Sequence, residues 1–151
     1  MEKNPDPFVF ANRLGFEVIE TILPLHQLGR IEVKQDHKTI YLDKRLGYTQ
    51  RRCRLAHELG HYFTSPWKVL TYRPGSMDQV LELSKYEYRA EKWAGEYLIS
   101  NEELKYALSV LEDIFLSDLA ERFEVTLEFM RFRMELYKAN KYNHAGATTS
   151  S

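Results

Sequence analysis

Residues 53–63 read CRLAHELGHYF. Two histidines, His57 and His61, stand four apart, with Glu58 beside the first. The longer stretch TQRRCRLAHELGHYF (49–63) contains no proline and reads as a helix, with Thr49 placed to cap it. At about 100° per residue, the two histidines point roughly the same way, one turn apart. Two imidazole nitrogens can then reach one ion. Glu58 projects from a neighbouring direction, where it can touch a water on that ion without ligating it. This is the mechanical sense of the H-E-x-x-H pattern as a zinc site with a built-in base. The plainer alternative is a helix that merely contains two histidines, and a third ligand separates the two.

The segment VLELSKYEYRAEKWAGEYLI (80–99) reads as a second helix and supplies that ligand. On a helical wheel Leu83, Ala90, Ala94 and Leu98 fall within about 60° of Glu87. Glu87 therefore sits in an apolar stripe, whereas Glu82 and Glu96 fall on the far side. A carboxylate on a buried face is costly unless something compensates it. A metal ion does so, and a salt bridge to Arg52 or Arg54 is the alternative. Glu91, one turn on at the stripe's edge, is placed to accept a hydrogen bond from a ligand histidine. Cys53, one turn before His57, is a rival ligand or simply core. His26, His37 and His144 lack such surroundings and read as bystanders.

The remaining sequence frames these helices. Residues 6–15, DPFVFANRLG, read as a short helix closed by Gly15. FEVIETILP (16–24) is ambiguous. RIEVK (30–34) and KTIYLD (38–43) alternate apolar and polar residues around a turn, which predicts a hairpin with Ile31, Val33, Ile40 and Leu42 on one face. Residues 64–79, with two prolines and a glycine, read as a long loop. Ser100 and Glu103 have capping-box spacing at the start of another helix. LSDLAERFE (116–124) and TLEFMRFRMELYK (126–138) have helix-turn-helix rhythm, with Thr126 capping the second helix. The small polar tail from 140 to 151 is expected to be disordered.

Composition narrows the function classes. The chain has 151 residues, 44% hydrophobic and 28% charged, as a single globular domain would, here bounded at 1–139. With 21 basic and 22 acidic residues the formal net charge is -1, so no global basic field points to nucleic acid or an anionic membrane. Arg131 and Arg133 are placed to meet phosphates, but Glu128 and Glu135 on the same helix oppose DNA, and direct nucleic-acid binding is not expected. A single cysteine permits no internal disulfide. Neither a signal peptide nor a membrane span is evident, and a cytoplasmic protein is the expectation.

RRCRLAHELGHYF together with EYRAEKWAGEYLIS resembles the ImmA/IrrE family of metallopeptidases, in particular its prophage and mobile-element branch. The resemblance runs from ANRLGFEV to LAERFEVTLEFMRFRMELY, about nine tenths of the chain, and is most specific in the two central segments. It implies one zinc ion per chain on His57, His61 and Glu87, with Glu58 as catalytic glutamate. The family's usual Asn is Glu91 here, and its usual Pro is Ser100. The resemblance further implies an α+β, mainly helical, zincin-like domain with a small antiparallel or mixed sheet and a C-terminal helical hairpin. Its implied role is cleavage of a helix-turn-helix repressor of a prophage or mobile element. An oxyanion donor is also required, and Tyr62, Tyr88 and Arg89 are the nearby choices. The competing function is a DNA- or repressor-binding regulatory module in which zinc is structural or sensory and nothing is cut.

Overall fold

The computed structural model describes residues 2–66 and 77–147; the expected loop at 64–79 lies mostly outside them, as do residues 148–151. Among the described residues the chain forms α1 (Pro7–Arg13), β1 (Phe16–Thr21), β2 (Gly29–Val33), β3 (Lys38–Asp43), α2 (Tyr48–Thr64), α3 (Met77–Leu98), α4 (Asn101–Val110), α5 (Leu116–Phe123) and α6 (Leu127–Ala147). The fold is α+β and mainly helical, with one small mixed sheet.

Local chemistry sets most element ends. The Asp6 side chain accepts from the Phe8 N–H to start α1, and Gly15 follows its end at φ +84°, a conformation that costs glycine little. The ambiguous segment is the strand β1, parallel to β3, while β2 and β3 form the expected hairpin in antiparallel register, Ile31 opposite Ile40. The sheet order is β1-β3-β2, so one edge of β2 is unpaired within it.

Two expected boundaries move. Helix α2 begins at Tyr48 and its N-cap is Gly47, not Thr49, because the Gln50 side chain turns back to accept from the Gly47 N–H at 2.8 Å. The tail expected to be disordered is instead helical as far as Ala147, since α6 meets no proline and continues through Lys, Ala and Asn. Ser100 and Thr126 cap α4 and α6, accepting from Glu103 N–H and Phe129 N–H.

Helix α2 is the central element. Leu55 and Leu59 pack on the sheet with Ile31, Ile40 and Leu42, while Cys53 and Ala56 join the helical core of Ala94, Leu98, Ile99, Leu104, Phe129 and Met130. Gly60 lets α3 come close: a Cβ there would fall 2.9 Å from the Ala90 carbonyl carbon, with the Ala90 oxygen nearer still. Phe63, Trp93, Tyr97 and Phe10 stack in series beside this crossing, tying α1, α2 and α3 together. That close crossing brings the side chains of α3 onto the histidine face of α2.

Candidate metal centre

Helix α2 buries His57, Glu58 and His61, which are 5%, 3% and 7% exposed. The two imidazole rings meet edge-on with centroids 4.8 Å apart. Both turn Nε2 toward Glu87 on α3. His57 Nε2 lies 2.7 Å from Glu87 Oε2, and His61 Nε2 lies 3.0 Å from Glu87 Oε1. Among the described residues, His57, His61 and Glu87 are the group whose ligand atoms all lie close enough, within 4.8 Å of one another, to share an ion. Two imidazole nitrogens and one carboxylate oxygen form a donor set of the catalytic-zinc kind, which leaves further positions open.

The other ring nitrogens are also held. The Glu91 carboxylate closes on Nδ1 of His57, and Ser65 Oγ lies 2.9 Å from Nδ1 of His61. Holding Nδ1 in this way fixes ring orientation and leaves Nε2 to bind. Ser65 escaped the sequence reading, although it lies one turn beyond His61 on the same face.

Charge follows this geometry. Burial works against a charged His57, but its bonds to Glu87 and Glu91 outweigh it and hold the ring's pKa up at about 9. Partial burial disfavours an ionised Glu87, yet the bonds from His57 and His61 bring its carboxyl well below the ordinary range. The three groups are thus poised as an anion between two nitrogens, where a cation can replace protons.

Glu87 is placed differently from the wheel's picture in one respect. Ala90, Ala94 and Leu98 of its stripe are buried, but the Glu87 side chain is 56% exposed. It stands at the open end of the stripe, facing the histidines. The alternative partners are engaged elsewhere: Arg52 with Asp6 and the Glu124 carbonyl, Arg54 with Glu58. Burial pushes the Cys53 thiol up to about 11, so it stays protonated and is a poor ligand.

Glu58 lies outside the ligand group. Arg54, one turn earlier, grips its Oε1 with Nε at 3.0 Å and Nη2 at 2.9 Å. A Cβ on Gly29 would fall 2.9 Å from that same Oε1, so the glycine lets β2 begin directly against the carboxylate. The partner of Arg54 is thus Glu58 and not Glu87, and the signal for it in the sequence is their i,i+4 spacing.

The three oxyanion choices have other engagements. Tyr62 stands edge-on to Phe16, Tyr88 meets Phe132, and the Arg89 guanidinium lies over Tyr86. Among the described residues none of the three bonds to the metal-binding group. The phosphate-binding expectation for Arg133 is also corrected. Its side chain is fully buried and donates to the Ile99 carbonyl at 2.8 Å and to Asn101 at 2.7 Å.

Beside His57 opens a cavity of about 440 Å³, which reaches across to Thr126, Glu128, Phe129 and Phe132 at the start of α6.

Comparison with known proteins gives a family and a fold. The peptidase M78 family, described as the IrrE N-terminal-like domain, matches residues 11–135. No curated protein matches the chain. Among solved structures, a Mycobacterium tuberculosis transcriptional regulator is similar with a TM-score of 0.60 and 23% identity, over 84% of this chain and 38% of that one. This chain therefore spans well under half of that regulator, and the likeness concerns the fold.

Proposed function

As the chain belongs to the IrrE N-terminal-like family of metallopeptidases, we propose that it is a zinc-dependent endopeptidase whose substrate is a helix-turn-helix repressor of a prophage or mobile element. The convergence of His57, His61 and Glu87, with Glu58 alongside but outside the ligand set, supports the metallopeptidase part of this reading, and the repressor substrate rests on the family resemblance alone. The donor set fits zinc. When bound, such an ion supplies Lewis acidity, polarising a carbonyl oxygen and lowering a water's pKa to about 7.

The chain's own residues have separable tasks. Glu91 and Ser65 orient the two imidazoles. Arg54 anchors Oε1 of Glu58 and leaves Oε2 to accept a proton and pass it to the leaving amine. The unpaired edge of β2 begins at Gly29, against Glu58, and suits an extended peptide added as a further strand. Of the loop read at 64–79, residues 67–76 lie outside the described residues.

The DNA-binding form of the regulatory alternative is weakened at Arg133, while Arg131 stays exposed. A DNA-reading helix needs its basic groups on the surface, and Arg133 is in the core.

The test is to incubate the zinc-loaded protein, beside its Glu58→Gln variant, with helix-turn-helix regulators from the same genome and to identify fragments by mass spectrometry. Cleavage by the wild type alone, with zinc retained in both, is the expected result. Equal cleavage by Glu58→Gln rules out this mechanism.

A further inference from the structure

The cavity beside His57 adjoins two groups of the site, the imidazole of His57 and the Arg54 side chain that holds Glu58. At about 440 Å³ it exceeds the lower bound of about 300 Å³ for pockets that take whole small molecules, so any amino-acid side chain fits. Leu28 and Leu46 contribute apolar wall from the sheet side, Phe129 and Phe132 from α6.

Besides His57, three charged groups line it, and two are engaged. Arg54 is held by Glu58, and Glu91 by His57. Glu128 has no hydrogen-bond or ion-pair partner among the described residues. It is exposed, in the first turn of α6, where the helix dipole favours its negative charge. The cavity thus combines apolar walls with one exposed carboxylate that has no protein partner among the described residues.

We infer that this cavity is the specificity pocket of the proposed peptidase, a reading on which the inference rests, and that Glu128 selects a long basic side chain, arginine or lysine, beside the cleaved bond. The methylene stem lies along the leucine and phenylalanine walls while the cationic head reaches Glu128, as amphipathic side chains do at such boundaries. An acidic side chain meets Glu128 and Glu91 together and is rejected by like charge. The α5–α6 pair thereby acquires a task that needs no DNA: the start of α6 forms a wall of the substrate cleft.

The probes are peptide hydroxamates of one common backbone, anchored by their metal-chelating group, whose adjacent side chain is that of arginine, norleucine or glutamate. Their dissociation constants are measured by titration calorimetry on the zinc-loaded wild type and on Glu128→Lys, whose fold is checked by circular dichroism. The expected order for the wild type is arginine, then norleucine, then glutamate, with arginine over glutamate by roughly tenfold at low salt. Glu128→Lys is expected to invert the arginine–glutamate order. Equal binding of all three probes, or an order unmoved by Glu128→Lys, overturns the specificity inference and leaves the metal site standing. Failure of every hydroxamate to bind the zinc-loaded protein overturns the metal-site reading, and the inference with it.

Discussion

The carboxylate of Glu91 closes on Nδ1 of His57, the ring nitrogen turned away from Glu87. One histidine therefore spans two carboxylates from successive turns of α3, one facing the ligand set and one behind it. Glu91→Ala removes the support and leaves the ligand. Zinc affinity is expected to fall by about 10–100-fold, the usual effect of losing such a partner, with the fold intact. Competition with a chromophoric chelator measures it. An unchanged affinity assigns Glu91 no part in the site.

The His57 bonds also predict pH behaviour. With its pKa raised to about 9, metal-free His57 carries a proton at neutral pH that zinc must displace. Zinc affinity should therefore rise with pH up to about 9. Titration calorimetry at pH 7, in buffers of different ionisation enthalpy, should show proton release on binding.

The same shift sets the stability of the metal-free protein. A folded-state pKa above the ordinary value of about 6.5 means the contribution is complete below 6.5 and is lost as pH rises through about 9. Glu87 acts in the opposite sense. Its depressed carboxyl contributes above about 4.3 and is lost as the solution becomes more acid. Chemical denaturation of metal-free protein should find their joint contribution largest between about pH 4.3 and 6.5. Flat stability from pH 6.5 to 9 contradicts the assignment for His57.

Gly60→Ala tests the helix crossing. The added methyl would meet the Ala90 carbonyl, which is backbone and cannot swing aside. Overpacking of this kind typically costs about 1–3 kcal/mol, and separating α2 from α3 also moves Glu87 off the histidines. Both a lower melting temperature and weaker zinc binding are expected. Normal zinc affinity in a destabilised variant uncouples the crossing from the site.

Arg133 is a buried stabilising group that donates to neutral acceptors. Its guanidinium serves the Ile99 carbonyl, just past the end of α3, and the Asn101 side chain at the start of α4. Arg133→Met fills similar space but leaves that carbonyl without its donor, which should cost about 1–3 kcal/mol. Urea denaturation reads the loss. A variant as stable as the wild type shows that water replaces the guanidinium.

What the sequence disclosed and what it withheld follow from range. His57, Glu58 and His61 were legible because their geometry is local to one helix, and Glu87 because a carboxylate stood out of place in an apolar stripe. The β2–β3 hairpin was legible from alternation. Strand β1 was not, since FEVIET pairs in parallel with β3 across the intervening strand β2 and carries no turn signal of its own. The start of α2 was misplaced because Gln50 caps Gly47 from within the helix, which leaves Thr49 no role there. Arg133 looked like a phosphate ligand because an arginine on a helix is normally outside. Only the packing of α6 against the end of α3 places it in the core.

The central claim is that His57, His61 and Glu87 hold one metal ion. The most direct measurement is metal stoichiometry by elemental mass spectrometry, on tag-free protein purified without chelator, beside Glu87→Ala. The account predicts close to one zinc per chain in the wild type and its loss or sharp reduction in the variant. A wild type that neither carries nor retains added zinc, or a Glu87→Ala variant that holds it equally well, contradicts the three-ligand site.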